Sequence, residues 1–191
     1  MKKIKKFKIN LRPREILRLL KATTQISEIT PELEEAVKRE SARLSRIISP
    51  AAVYDTNTWE KIPIELAPPA IDKWVAASTC LITIGTAVEA EINEARQRGE
   101  GILAQMLHAI AVEALEQTGN FVKRLIGEEA KEEGCELSKE QLINTPPAWE
   151  KFIQIIPGDK IGVQLLDKET FQPMYSSAGV IYWIPLKKRS K

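Results

Sequence analysis

The chain has 191 residues, 43% of them hydrophobic, with 28 basic and 26 acidic side chains and a net charge of +2. This size and apolar content suit one globular core, so residues 1–191 are predicted to form a single module. The longest uncharged apolar run, residues 74–88, is too short to cross a bilayer, and the basic start lacks a signal peptide's apolar stretch, which excludes a membrane protein and predicts a cytoplasmic location.

Two helices are predicted in the N-terminal part, about residues 11–50. Apolar residues in LRPREILRLLKA recur at helical spacing behind Pro13, which suits the first position of a helix. A second helix is predicted to begin after Thr30, whose hydroxyl can cap free amides, and to end before Pro50.

The body of the module, about residues 51–186, is predicted to begin irregularly. Prolines interrupt short β-prone pieces such as IPIEL between residues 51 and 70, which favours edge strands or a wrapping loop. The following segment, WVAASTCLITIG, is rich in valine, isoleucine and threonine and shows no helical stripe. It predicts a buried strand ending at Gly85.

Helical spacing returns from Thr86 to about Gly99, and a longer helix is predicted from Leu103 to a stop at Gly134. Ser138 and Gln141 have the spacing of a capping box, which predicts one turn of helix. The pair of prolines at 146 and 147 then predicts an extended link, and AWEKFIQII another short helix.

Two strands are predicted near the end of the body, in IGVQLL and in SAGVIYWI, the second strongly β-branched and aromatic. Tyr182 and Trp183 fall on opposite faces of that strand, so one is expected to face the core and the other a cleft or partner. The order of helices, strand, helix pair and strands favours an α+β fold.

Few residues suit independent chemistry. The single histidine, His108, lies in a helical pattern, and Cys80 and Cys135 belong to no CxxC or Cys/His cluster. We therefore predict reduced thiols, no metal site and no catalytic residue, and we do not expect a hydrolytic enzyme because no Ser/His/Asp or Cys/His set can be assembled around one histidine. There is also no glycine-rich phosphate loop.

Both ends of the chain are basic, with five lysines in the first eight residues and a basic tail at 187–191. Such ends could touch nucleic acid, but no aromatic residues accompany a basic face and no nucleic-acid fold signature occurs. We interpret them as solvated tails and do not expect nucleic acid as a partner.

Three segments resemble the activation domain of cobalamin-dependent methionine synthases: TIGTAVEAEI, LHAIAVEALEQTGNFV and IGVQLLDKETFQPMYSSAGVIYW. Short stand-alone members of that family also begin with helices like REILRLL and RLSRIISP. The resemblance covers roughly residues 13–185 and rests on the order and spacing of the segments.

The resemblance implies an α+β fold with a bent antiparallel sheet and flanking helices. It also implies an accessory or reactivation module for a corrinoid-dependent methyltransferase, with S-adenosylmethionine as ligand and cobalamin reached only through a cobalamin-binding partner protein or methyltransferase. In that family the cofactors carry the methyl-transfer chemistry. The sequence is compatible with a homodimer.

Two positions match the family's ligand contacts. Glu113 in VEAL matches an acidic contact on the long helix, where a carboxylate can pair with a cationic ligand group. Tyr182 matches a tyrosine on the last strand. The alternative for Glu113 is a polar residue at the edge of a helix.

The family's binding motif, R-x-x-x-G-Y, falls on NTPPAW, so Asn144, Ala148 and Trp149 stand for its arginine, glycine and tyrosine, and Pro147 is retained. Loss of the arginine removes charged hydrogen bonds of about 1.5–3 kcal/mol, and alanine adds a methyl group where a ligand approaches the backbone. The resemblance thus implies weakened S-adenosylmethionine binding. Alternatively, the chain is a non-catalytic protein-interaction module that has lost this ligand, with Asn144 as a turn former and Trp149 as a hydrophobic anchor.

Overall fold

The structure, a computed structural model, describes residues 1–24, 28–68, 73–143, 145–166 and 170–186. Its α-helices are α1 (Pro13–Thr23), α2 (Pro31–Leu44), α3 (Ala87–Gln97), α4 (Gly101–Glu132) and α5 (Pro146–Ile155). Its strands are β1 (Lys2–Lys5), β2 (Ala51–Thr58), β3 (Ala76–Thr83), β4 (Cys135–Leu137), β5 (Gln141–Leu142), β6 (Gln164–Leu166), β7 (Thr170–Gln172) and β8 (Ser176–Pro185). Short 3-10 turns occupy Trp59–Lys61, Ile64–Leu66 and Gly158–Ile161.

The main sheet is antiparallel, in the order β1-β2-β3-β8-β4, and β5 also pairs with β8. The central register aligns Tyr54 with Cys80 and Cys80 with Gly179. Strands β6 and β7 form a separate hairpin. The predicted α+β class, an antiparallel sheet with flanking helices, is therefore confirmed.

Both faces of β8 are covered. Val180 and Tyr182 point into a cluster that contains α5, whereas Ile181 and Trp183 point into a cluster with the second half of α4. Tyr182 is 1% exposed and Trp183 5% exposed. Both aromatic rings of the last strand are thus core residues, on opposite sides of the sheet.

Helix α4 joins two parts of the core. It has 32 residues and therefore a length of about 48 Å at roughly 1.5 Å per residue. Residues in its first half, such as Leu107 and Ile110, pack with α1, α2 and α3, while Val122 and Ile126 lie on the sheet. None of the helices in the described ranges is long and apolar enough to span a membrane.

Several predicted elements are confirmed and others are wrong. Helix α1, strand β3, helices α3 and α4 and strand β8 lie where the sequence predicts them. Strand β2 is not an edge strand or wrapping loop, since β1 and β3 pair with it on both sides. The prolines that suggested an interruption, at 63, 68 and 69, all come after this strand, so they do not affect its pairing. Helix α2 ends at Leu44, six residues before the predicted proline stop.

Three further differences have local causes. Lysines at 2–5 form an edge strand rather than a solvated tail, which is consistent with the frequent use of lysine on sheet edges. Ser138 forms no helical cap. Its backbone N–H donates to the Tyr182 carbonyl and its Oγ accepts from the Tyr182 N–H, so it extends the sheet. The prolines at 146 and 147 begin α5 instead of an extended link, because the first turn of a helix needs no donor from them.

Candidate functional site

A cleft of about 260 Å³ lies on the face of β8 away from α4. Its walls are the 3-10 turn at Ile64–Leu66, strand β5, the start of α5 and the middle of β8. Ala148, which stands for the glycine of the motif, and Tyr182, which matches the tyrosine on the last strand, both line it. Among the described lining residues, Glu65 carries the only charged side chain.

The Tyr182 hydroxyl fixes one wall of this cleft. It donates a hydrogen bond to the carbonyl oxygen of Leu66 at 2.5 Å, and the amide oxygen of Gln141 lies 3.4 Å away. The indole of Trp74 packs edge-on against its ring, with centroids 5.3 Å apart. Burial raises the pKa of Tyr182 to about 12, so the hydroxyl keeps its proton and serves as an internal tie.

The start of α5 forms the opposite wall. Proline begins the helix, Pro147 is exposed, and the next two residues, Ala148 and Trp149, are 6% and 8% exposed. The indole of Trp149 packs at right angles to Phe171, with centroids 4.6 Å apart, and edge-on to Phe152. Trp149 therefore anchors α5 in the core, whereas the small side chain of Ala148 faces the cleft. Asn144 lies outside the described residues.

Glu113 lies elsewhere. Its side chain is fully buried on α4, where Nε of Arg12 contacts Oε1 at 2.7 Å and Nη2 contacts Oε2 at 3.0 Å. The backbone N–H of Arg12 also donates to Oε1, and Nη2 reaches Glu116 at 3.1 Å. These carboxylates raise the pKa of the Arg12 guanidinium. The charge of Glu113 is therefore satisfied within the chain.

The predicted site residues thus divide into two places. Ala148 and Tyr182 share the cleft, with Pro147 and Trp149 beside it, but Glu113 does not line it. Tyr182 points to the face of the sheet away from α4, so a ligand in the cleft does not meet the Glu113 carboxylate. Sequence reasoning did not identify Leu66 or Gln141 as part of this site, since only the fold brings them to Tyr182.

The histidine and the two cysteines are partly or fully buried. Nδ1 of His108 lies 2.6 Å from the Tyr175 hydroxyl, and burial lowers the pKa of the imidazole. Cys80 and Cys135 are buried free thiols, and burial raises the pKa of each. In the part of the chain that the structure describes, no three histidine, cysteine or acidic side chains group as metal ligands.

The sequence matches no family model and no curated protein. A solved structure, the MetH reactivation domain bound to AdoHcy, superimposes with a TM-score of 0.60 over 93% of this chain and 77% of that one. This chain has the fold of that reactivation domain. Sequence identity is 11%, so the likeness establishes the architecture, and the bound AdoHcy is a property of the other protein.

Proposed function

We propose that this chain is an accessory module for a corrinoid-dependent methyltransferase, related to the methionine synthase activation domain but with a degenerate S-adenosylmethionine site. One observation carries the proposal. In a fold shared with the MetH reactivation domain, two positions that the resemblance assigns to the ligand, Ala148 and Tyr182, are far apart in sequence and line the same cleft.

The geometry of the cleft supports weak ligand binding. Its volume of about 260 Å³ lies below the roughly 300–1,000 Å³ of typical small-molecule sites. The Tyr182 hydroxyl already donates to Leu66, and the described lining offers Glu65 but no cation for a ligand carboxylate. Glu113 is paired with Arg12 and cannot replace the missing contacts.

Isothermal titration with S-adenosylmethionine and AdoHcy tests the ligand part of the proposal. We expect little or no heat with the parent chain and measurable binding, at least tenfold tighter, after Asn144→Arg, Ala148→Gly and Trp149→Tyr are combined. Because Trp149 packs in the core, the variant's melting curve must first show that it folds. A single Asn144→Arg variant keeps Trp149 and provides a second measurement. Equal affinity in parent and folded variants would contradict the idea of a decayed site.

The partner part of the proposal needs a corrinoid protein. We expect the chain to bind a purified cobalamin-loaded partner from the same cell and to change the visible absorption spectrum of the oxidised corrinoid. A partner protein carrying no corrinoid serves as the control. Absence of both binding and a spectral change would remove the support for this function.

A second candidate, a protein-interaction module without ligand, is favoured by the rim of the cleft. Ile64 and Leu142 are 82% and 62% exposed on the turn and strand that form its walls. We expect Ile64→Asp and Leu142→Asp to weaken partner binding at least tenfold. Ile102→Asp is the matched control, because Ile102 is 64% exposed at the start of α4 and does not line the cleft. This candidate is preferred if the rim variants lose the partner while every ligand titration stays flat.

A further inference from the structure

An extended segment on the helical side of the molecule joins β1 to α1. Burial alternates along residues 7–11: Phe7, Ile9 and Leu11 are half-buried, whereas Lys8 and Asn10 are exposed. Phe7 stacks on Phe121 with ring centroids 4.2 Å apart. This period of two is typical of a strand that covers a core with one face.

Among the described residues, the segment nevertheless has no strand partner. The backbone N–H of Lys6 donates to Pro50 and that of Arg12 to Glu113, but the backbone between them makes no hydrogen bond within the described ranges. Free backbone donors and acceptors along an extended segment are a template for an added strand. Five residues at about 3.3 Å each present roughly 16 Å of such backbone.

A groove accompanies this segment along α2. Three adjoining cavities of about 300, 360 and 740 Å³ share lining residues, the first two Ile9 and Ser45 and the last two Asn10 and Lys38. The wall on α2 is the stripe Glu34, Lys38, Ser41 and Ser45, spaced four, three and four residues apart, which is one face of a helix.

Ser41 marks the middle of the groove. It is 7% exposed and lines the central cavity, yet its Oγ has no hydrogen-bond partner among the described residues. A buried hydroxyl without a partner costs stability, and because this Oγ is enclosed, a bound group recovers that loss by forming a hydrogen bond once the side chain rotates toward it. Of the charged side chains along the groove, Lys8, Arg14 and Glu34 form no ion pair among the described residues, and Lys38 forms only a loose one, at 3.8 Å. Three cations against one carboxylate leave the rim basic.

We propose that this groove binds an extended, acidic peptide segment of a partner protein, which adds as a strand to residues 7–11. Backbone pairing with the free amides and carbonyls supplies affinity. Lys8, Arg14 and Lys38 select carboxylates on the peptide, and the Ser41 hydroxyl bonds to its backbone or to a polar side chain. The site is separate from the cleft beside Tyr182, so it does not depend on S-adenosylmethionine.

The probe is a peptide selected from a displayed library of short linear sequences and then synthesised. We expect selected peptides to alternate apolar and polar residues and to carry Asp or Glu. Hydrogen exchange should show fast amides at Lys8–Leu11 in the free protein and at least tenfold protection when the peptide is bound. N-methylation of alternate peptide amides should lower affinity at least tenfold without changing its side chains.

Variants on α2 locate the site. Ala42→Trp places a bulky ring in the groove at an exposed position and should lower affinity at least tenfold. Arg39→Trp, on the same helix but lining none of the three cavities, should not. Ser41→Ala should lower affinity three- to tenfold while leaving the fold intact. If Ala42→Trp fails to fold, Ser45→Trp replaces it.

Each contrary result overturns the proposal. The contrary results are that the library yields no binder, that N-methylation leaves the affinity of a binder unchanged, and that amides other than Lys8–Leu11 are protected. A further contrary result is that Arg39→Trp lowers the affinity as much as Ala42→Trp. Protection of these amides that rises with protein concentration and without peptide would instead identify a second copy of this chain as the occupant.

Discussion

Replacing Tyr182 by phenylalanine removes a single hydroxyl from the best-defined contact of the cleft. That hydroxyl is buried and donates to the Leu66 carbonyl, which tethers the 3-10 turn to β8 across a long stretch of sequence. Phenylalanine keeps the ring and its edge-on contact with Trp74. The variant therefore tests the hydrogen bond and leaves the packing in place.

The free energy of unfolding should fall by about 2 kcal/mol, because a buried carbonyl left without its donor costs roughly 1–3 kcal/mol. For a chain of this size that lowers the melting temperature by about 4–8 °C at roughly 2–4 °C per kcal/mol. Urea unfolding, monitored by circular dichroism, measures the change in the free energy of unfolding. Tyr175→Phe is the matched control, since its hydroxyl contacts the half-buried His108, where water can take its place. A Tyr182→Phe variant as stable as the parent, or no worse than the control, would refute the assignment of Leu66 as a tether.

Three further outcomes follow from the same core. Phe152→Ala, at a fully buried position on α5, should destabilise the chain by about 3–5 kcal/mol in urea unfolding. Gly179→Ala should cost about 1–3 kcal/mol, because the added methyl group overlaps the Glu140 carboxylate, and a double variant with Glu140→Ala should recover most of that loss. Above pH 10 the unfolded state releases the Tyr182 proton while the folded state, with a pKa of about 12, keeps it, so this residue should lower stability between pH 10 and 12 by up to about 1.4 kcal/mol per pH unit. Burial also raises the pKa of Tyr54 and of Tyr175, so Tyr182→Phe should reduce the slope without abolishing it.

Long periodic segments were predictable from the sequence, and short pairings were not. The apolar stripe of α4 and the β-branched runs of β3 and β8 each carry enough residues for the local pattern to decide. Strands β4 and β5 have three and two residues, and they exist only because β8 offers an edge to pair with. The Ser138 segment satisfied a local helix-capping pattern, but pairing with Tyr182 prevailed.

For the candidate site, the resemblance predicted which positions come together only in part. The resemblance selected Ala148 and Tyr182 together, and the fold brings them to one cleft. It also selected Glu113, whose partner Arg12 is 101 residues away. A carboxylate on the apolar stripe of a helix requires compensation when buried, so a cation was predictable in kind, but no spacing rule identifies Arg12.

The Arg12–Glu113 ion pair removes Glu113 from the candidate ligand site. Removal of one partner from a buried ion pair leaves an uncompensated charge, so such a carboxylate persists only with a partner in place. Here Arg12 satisfies both carboxylate oxygens from within the chain, and Glu113 needs no ligand to explain it. A retained ligand site is therefore limited to the cleft between α5 and β8. The Asn144→Arg variant tests this cleft directly. It shows whether an added cation recruits a ligand to a cleft in which the Tyr182 hydroxyl already donates to the Leu66 carbonyl.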